Sequence, residues 1–224
     1  MSVLDQSDLL RDHIASILAE AGVLAVVNVV TTSNAGPVVS AMLRDPRVRL
    51  PSFTGSTEVR RAVLRESADQ ILKCAMELGG NGPLIVLDDT DFDVALDETM
   101  VAKMRNRGQA CTAANRILVH RSIHDTFVER LAQRMEALVV GSGVDGTTQC
   151  GPLVDAKSVT TVAELVDSAV RRGARIVVGG QTPERAALYY EPIVLADVPT
   201  GAAISREEIF GPVAAIVPST PTRR

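Results

Sequence analysis

The chain has 224 residues, 46% hydrophobic and 22% charged, an ordinary globular balance that argues against disorder or a fibrous repeat. Its 23 Lys and Arg against 27 Asp and Glu give a net charge of −4, which excludes the basic footprint of a nucleic-acid binder. The longest nearly apolar run, Val23 to Val30, is broken by Asn28 and is too short to span a bilayer, so no membrane partner is expected. The N-terminal MSVLDQSDLL is acidic and lacks a signal-peptide core. Cys74, Cys111 and Cys150 are too widely spaced for a zinc pattern or a disulfide framework. A soluble chain in a reducing, cytoplasmic setting is expected, with no metal site.

Short apolar runs alternate with helical patterns. Val23 to Thr31 is rich in β-branched residues and reads as a strand. A turn with Gly36 and Pro37 leads to a short helix around Val38 to Leu43. Val48 to Phe53 reads as a second strand closed by Thr54-Gly55-Ser56, although Pro51 cannot donate a ladder hydrogen bond. Ser56 can cap a helix from Thr57 to about Met76. Pro83 to Leu87 (PLIVL) has the unbroken apolar character of a strand covered on both faces. Asp91 can cap a helix from Phe92 to Asn106, and Gly108 can end it.

Arg116 to His120 reads as a strand. Ser122 and Asp125 have capping-box spacing. Ile123, Phe127, Leu131, Met135 and Leu138 then recur at near-helical intervals. After a glycine-containing loop from Gly141 to Gly151, Ser158 to Arg172 reads as a helix stopped by Gly173. Arg175 to Val178 is the next strand, and Pro218 to Arg224 reads as an unstructured tail. The alternation predicts an α/β fold with a largely parallel sheet. A domain boundary is expected near Leu78-Gly79-Gly80.

Four local features could carry chemistry. Phe53-Thr54-Gly55-Ser56 joins a strand to a helix N-terminus, which favours a phosphate; an ordinary capped turn fits the same residues. Cys111 follows Gly108-Gln109-Ala110 in a loop between a helix and a strand, the setting of a reactive thiol, whereas most free cysteines are small buried hydrophobes. Glu77 falls at the expected end of a helix, where a negative charge opposes the dipole. Glu207 and Glu208 precede Ile209-Phe210-Gly211-Pro212, which also reads as a helix end and a turn.

Taken in order, the stretches FTGSTEV (Phe53 to Val59), MELGG (Met76 to Gly80), GQACTAANRI (Gly108 to Ile117), CGPLVD (Cys150 to Asp155) and EEIFGPV (Glu207 to Val213) resemble the aldehyde dehydrogenase family. The resemblance runs from about residue 10 to about residue 217, with a succinate-semialdehyde dehydrogenase-like character. It implies a partial aldehyde dehydrogenase fold. Residues 1–78 would be the C-terminal part of a Rossmann-like NAD(P)-binding domain, residues 79–217 part of the α/β catalytic domain carrying the thiol, and residues 218–224 a tail.

The resemblance also implies roles. Cys111 aligns with the thiol that attacks the aldehyde, and Glu77 with the base that activates water against the thioester. Gly55 and Ser56 align with the turn that meets the pyrophosphate of NAD or NADP. Leu78 aligns with a backbone contact to the nicotinamide amide, Glu208 with the carboxylate that holds the nicotinamide ribose, and Phe210 with a residue packed near the ring. The implied partner is a small aldehyde.

Members of the family are longer. By the same resemblance, the segment with the side-chain amide of the oxyanion hole and the adenosine-ribose contacts lies upstream of this chain. The strand used for homo-oligomerisation lies downstream. Arg60 stands where the family usually has glycine, close to the cofactor turn. Weak cofactor binding, or none, is expected of the chain alone. Two alternatives stand beside the dehydrogenase: a catalytically inactive remnant, and a cofactor-independent esterase using Cys111.

Overall fold

A computed structural model describes residues 13, 14, 16–22, 28–180 and 188–220. The chain divides into two compact units, Met1–Leu78 and Gly79–Arg224.

The first unit contains α1 (Ala35–Arg44), β1 (Ser52–Gly55), α2 (Thr57–Ala68) and β2 (Ala75–Leu78). The two strands pair in parallel, with Thr54 opposite Glu77 and Gly55 opposite Leu78. The helix α2 is the crossover that parallel pairing requires. Ser56 caps it, its Oγ accepting from the Val59 N–H at 3.3 Å. The expected short helix around Val38 to Leu43 lies within α1. Of the strand expected over Val23 to Thr31, residues 23–27 lie outside the described residues, and Asn28 to Thr31 form neither helix nor strand.

Two expectations in this unit are corrected. The strand expected from Val48 starts at Ser52, just past Pro51, so the missing proline N–H falls outside the ladder. The Pro51 carbonyl still accepts from the Ala75 N–H at 3.0 Å. The helix expected to reach Met76 stops at Ala68. Ile71 takes a left-handed φ of 53°, and the chain turns into β2. Met76, Glu77 and Leu78 are adequate helix formers, but ladder bonds to β1 override that weak preference. Glu77 therefore sits on a strand, and the helix-dipole argument does not apply to it.

The second unit is a five-stranded sheet between two layers of helix. Its elements are β3 (Gly82–Val86), α3 (Phe92–Met104), a 3₁₀ turn (Arg105–Gly108), β4 (Ala114–His120), α4 (His124–Glu136), α5 (Ala156–Arg171), β5 (Arg175–Val178), β6 (Ile193–Ala196), a second 3₁₀ turn (Ala203–Ser205) and β7 (Val213–Ser219). The strand order is β3-β4-β7-β6-β5. Only β5 and β6 are antiparallel.

Strand alternation sorts side chains to the two faces. Ile193 and Leu195 pack with Val162, Leu165 and Val166 of α5. Val194 and Ala196 pack with Leu96 of α3 and Phe127 and Leu131 of α4. The helix ends follow local chemistry. Asp91 Oδ1 accepts from the Asp93 and Val94 N–H groups, both at 3.1 Å. Asp155 Oδ1 accepts from the Ser158 N–H at 2.7 Å. Gly173 ends α5 with φ 107°.

Three further expectations are corrected. The strand at Pro83 to Leu87 is not covered on both faces: β3 is the end strand of its sheet, and Ile85 is 62% exposed. The Ser122–Asp125 capping box does not form, because each side chain takes a nearer imidazole, His120 and His124 respectively. Ile123 stands at the cap of α4 without a side-chain bond. Pro218 and Ser219 are not tail but the end of β7, opposite Val119 and His120. Residues 221–224 of the expected tail lie outside the described residues.

Candidate active site

Cys111 is exposed and sits in the turn between the first 3₁₀ segment and β4. The approach to it is strained. Asn106 and Arg107 have φ of 48° and 59°, both left-handed and neither glycine, and Gly108 follows at 73°. Single residues of this kind cost about 1–3 kcal/mol and persist only when their surroundings impose them. Here the surroundings do. Asn106 Nδ2 donates to the Gln109 carbonyl at 2.9 Å, and the Gln109 N–H donates to the Asn106 carbonyl at 3.0 Å. The buried Gln109 accepts from the Val154 N–H through Oε1 at 3.0 Å. A Cβ on Gly108 would lie 2.3 Å from the Gly211 carbonyl oxygen, so only glycine lets these two loops meet.

The other thiols differ. Cys150 is fully buried, and burial pushes its thiol above the usual range despite the nearby Arg107 guanidinium. Cys74 is half-buried, with Sγ 3.6 Å from the Leu72 carbonyl.

Glu208 and Phe210 lie on the segment that reaches Gly211. Together with Asp155, Lys157, Ser158, Thr161 and Ile209 they line an open cleft of about 250 Å³. Phe210 is held at a left-handed φ of 50°. The Glu208 carboxylate lies against Gly79, where a Cβ would come within 2.1 Å of Oε2. Its Oε1 is buried with no hydrogen-bond partner. Burial raises its pKa, opposed by the Gly80 N–H and by the charge of Lys103. Asn81 Nδ2 anchors the same segment, donating to the Ile204 carbonyl at 3.1 Å and to the Glu207 carbonyl.

In the first unit, parallel pairing puts Gly55 beside Leu78 and Thr54 beside Glu77. Glu77 and Ser56 are exposed. Phe53 crowds the face of Gly55, where a Cβ would lie 2.6 Å from its ring. Arg60 belongs to the first turn of α2, and its buried Nε has no partner. An apolar cavity of about 250 Å³ lies nearby, lined by Val39, Leu43, Phe53, Val59, Val63 and Glu66 among others.

Residue types and motifs alone did not point to Lys103, Asn115 or the Gly108–Gly211 contact. A signal for Lys103 was present. Leu96, Thr99 and Lys103 recur at three- and four-residue steps, the face of α3 that turns inward. Among the described residues no group of three or more His, Cys, Asp or Glu could hold a metal ion, and no helix is long and apolar enough to cross a membrane.

Comparison with known proteins gives these features a setting. The model of the aldehyde dehydrogenase family matches residues 5–222. Succinate-semialdehyde dehydrogenase [NADP(+)] GabD of Escherichia coli K12 is 43% identical over 201 residues, which cover 90% of this chain and 42% of that protein. A succinate-semialdehyde dehydrogenase of Paenarthrobacter nicotinovorans is 44% identical over 207 residues, 92% of this chain and 46% of that protein. A crystal structure of an E. coli NADP-dependent enzyme superposes with a TM-score of 0.85 at 42% identity, covering 92% of this chain and 44% of that one. The chain thus spans less than half the length of these relatives. It belongs to the aldehyde dehydrogenase family.

Proposed function

We propose that this chain carries the thiol half of an NAD(P)+-dependent aldehyde dehydrogenase that oxidises a short semialdehyde, such as succinate semialdehyde, to a carboxylate. The observation that carries this reading is the Cys111 turn: an exposed thiol behind three successive left-handed residues locked against Gly211. Similarity to succinate- and glutarate-semialdehyde dehydrogenases supports the substrate class.

The residues present suit a nicotinamide nucleotide. The capped N-terminus of α2 offers N–H groups and a positive dipole end to a pyrophosphate at Gly55 and Ser56. The apolar cavity lined by Val39, Phe53 and Val59 suits a flat base. The unpartnered Glu208 Oε1 suits a ribose hydroxyl. Leu78 would contribute a backbone contact to the carboxamide, and Phe210 would pack near the ring. NAD(P)+ held by these residues would supply the acceptor for a hydride from the carbon attached to Cys111.

In the proposed chemistry the Cys111 sulfur adds to the aldehyde carbon and its thiol proton passes to the carbonyl oxygen, forming a hemithioacetal. Loss of the hydride from carbon and of the hydroxyl proton to solvent makes this a thioester. The Glu77 carboxylate takes a proton from water, the resulting hydroxide attacks the thioester carbonyl, and the C–S bond breaks to release the carboxylic acid and the thiolate.

The test measures NAD(P)H absorbance with the purified chain, succinate or glutarate semialdehyde, and NAD+ or NADP+, beside Cys111→Ala. Aldehyde-dependent NAD(P)H that disappears in Cys111→Ala is the expected result. A folded chain that gives none, and whose Cys111 is not acylated by an activated thioester or ester, would refute the reading.

A further inference from the structure

One buried polar chain in the second unit runs from Lys103 to Glu208. Lys103 on α3 is only 1% exposed, a rare position for lysine. Its Nζ donates to Asn115 Oδ1 at 3.1 Å. Asn115 Nδ2 donates to the Gly80 carbonyl at 2.9 Å. The Gly80 N–H faces the Glu208 carboxylate, and Gly79 makes room for that carboxylate by having no Cβ. A lysine, a carboxamide, a peptide group and a carboxylate thus connect the interior of the unit with its cleft.

Burying an ammonium group carries a desolvation cost that a leucine or methionine would avoid. The Asn115 hydrogen bond satisfies one of three N–H donors, so it offsets only part of that cost. The other compensation is attraction to Glu208. Glu208 in turn keeps Oε1 buried and unpartnered.

We propose that Lys103 is a positioning residue for Glu208: through Asn115 it fixes the Gly79–Gly80 backbone against which the carboxylate rests, and it supplies the buried positive charge that faces it, so that Oε1 is presented to a hydroxyl-bearing ligand. The ligand class rests on the reading of Glu208 as the carboxylate for the nucleotide ribose. Other charged groups approach from the cleft side or beside it. Asp155 and Lys157 of the α5 start line the cleft with Glu208, Glu207 precedes it in the chain, and Arg116 of β4 donates to the Asn81 carbonyl at 3.2 Å. Lys103 alone among them acts on Glu208 from the buried side.

Burial lowers the pKa of Lys103 to about 7, so its charge changes in an accessible range. The first measurement needs neither a variant nor a cofactor. Carbon-13 NMR of the Glu208 carboxyl and the Lys103 ε-carbon is followed across pH in the full chain. The Glu208 resonance is expected to shift a second time where Lys103 titrates; a Glu208 signal that does not move there overturns the proposal.

The second measurement is calorimetric binding of NAD+ and NADP+ to wild type, Lys103→Met and Asn115→Ala at several pH values. Wild-type affinity is expected to fall as Lys103 loses its proton. Lys103→Met is expected to bind about tenfold more weakly below neutral pH and to lose the pH dependence. A variant with wild-type affinity and an unchanged profile overturns the proposal. A lysine with only a structural role would lower stability without altering that profile. If Lys103→Met does not fold, the wild-type titration and Asn115→Ala decide. If wild type binds neither nucleotide, the ribose reading fails by itself, and the NMR coupling still decides whether Lys103 acts on Glu208.

Discussion

Gly108→Ala tests whether the Cys111 turn depends on a glycine-only contact. The residue has φ of 73°, and a Cβ there would lie 2.3 Å from the Gly211 oxygen, 2.9 Å from the Gly211 carbonyl carbon and 3.1 Å from the Lys103 oxygen. All three neighbours are backbone atoms, so no side-chain rotation relieves the clash. The left-handed conformation costs a non-glycine residue about 1–2 kcal/mol. Forcing packed segments apart adds about 1–3 kcal/mol. Gly108→Ala is therefore expected to destabilise the chain by about 2–5 kcal/mol. Gly143→Ala is the control, because nothing lies within 4 Å of its Cβ position; its effect should be within about 0.5 kcal/mol. Urea unfolding followed by circular dichroism compares the two. Equal midpoints would refute the reasoning. Cys111 follows three residues on, and displacing a reacting atom by about 1 Å can cost about 100-fold in rate, so the proposed Cys111-dependent turnover should fall on that scale.

The remaining predictions concern charge, thiols and caps. Lys103 has its pKa lowered from 10.5 to about 7 by burial, so between those values the unfolded chain binds the extra proton. The buried-charge penalty is therefore full below about pH 7 and is relieved as pH rises towards 10.5, and unfolding free energy should increase across that window. The total is on the order of 5 kcal/mol. Lys103→Met should flatten the rise, and parallel pH profiles of the urea midpoint in variant and wild type would contradict this. Brief alkylation of the folded chain should label the exposed Cys111 and spare the buried Cys150, as read by peptide mass spectrometry. Asp91→Ala removes the acceptor for two N–H groups at the start of α3 and should cost about 1 kcal/mol in thermal or urea unfolding.

Local chemistry made part of the fold legible. The caps at Ser56, Asp91 and the stop at Gly173 depend on neighbouring residues, and each is where its sequence signal points. What depends on distant partners was less legible. Met76-Glu77-Leu78 suits a helix until β1 offers it a ladder. The strands β6 and β7 carry no polar alternation because both their faces are buried, so neither displays a strand pattern in the sequence. The same division holds for the candidate site. The thiol and carboxylates stand in motifs that the sequence displays. The meeting of Gly108 with Gly211 arises only when segments about 100 residues apart are brought together, and the Lys103–Asn115–Gly80 line joins residues 12 and 35 positions apart that no motif links.

The strand order β3-β4-β7-β6-β5 has a consequence for synthesis. Val119 pairs with Pro218, and β7 alone joins β4 to β6. Until residues 213–219 leave the ribosome, the second unit consists of a parallel pair, β3 with β4, and an antiparallel pair, β5 with β6, each with an open edge where β7 will insert. Loop closure on this scale is slow, and unpaired edges invite wrong partners. The nascent chain therefore carries an aggregation hazard at the β4 and β6 edges for as long as β7 has not emerged. A chaperone that shields the β4 and β6 edges would be needed most in the interval before β7 emerges.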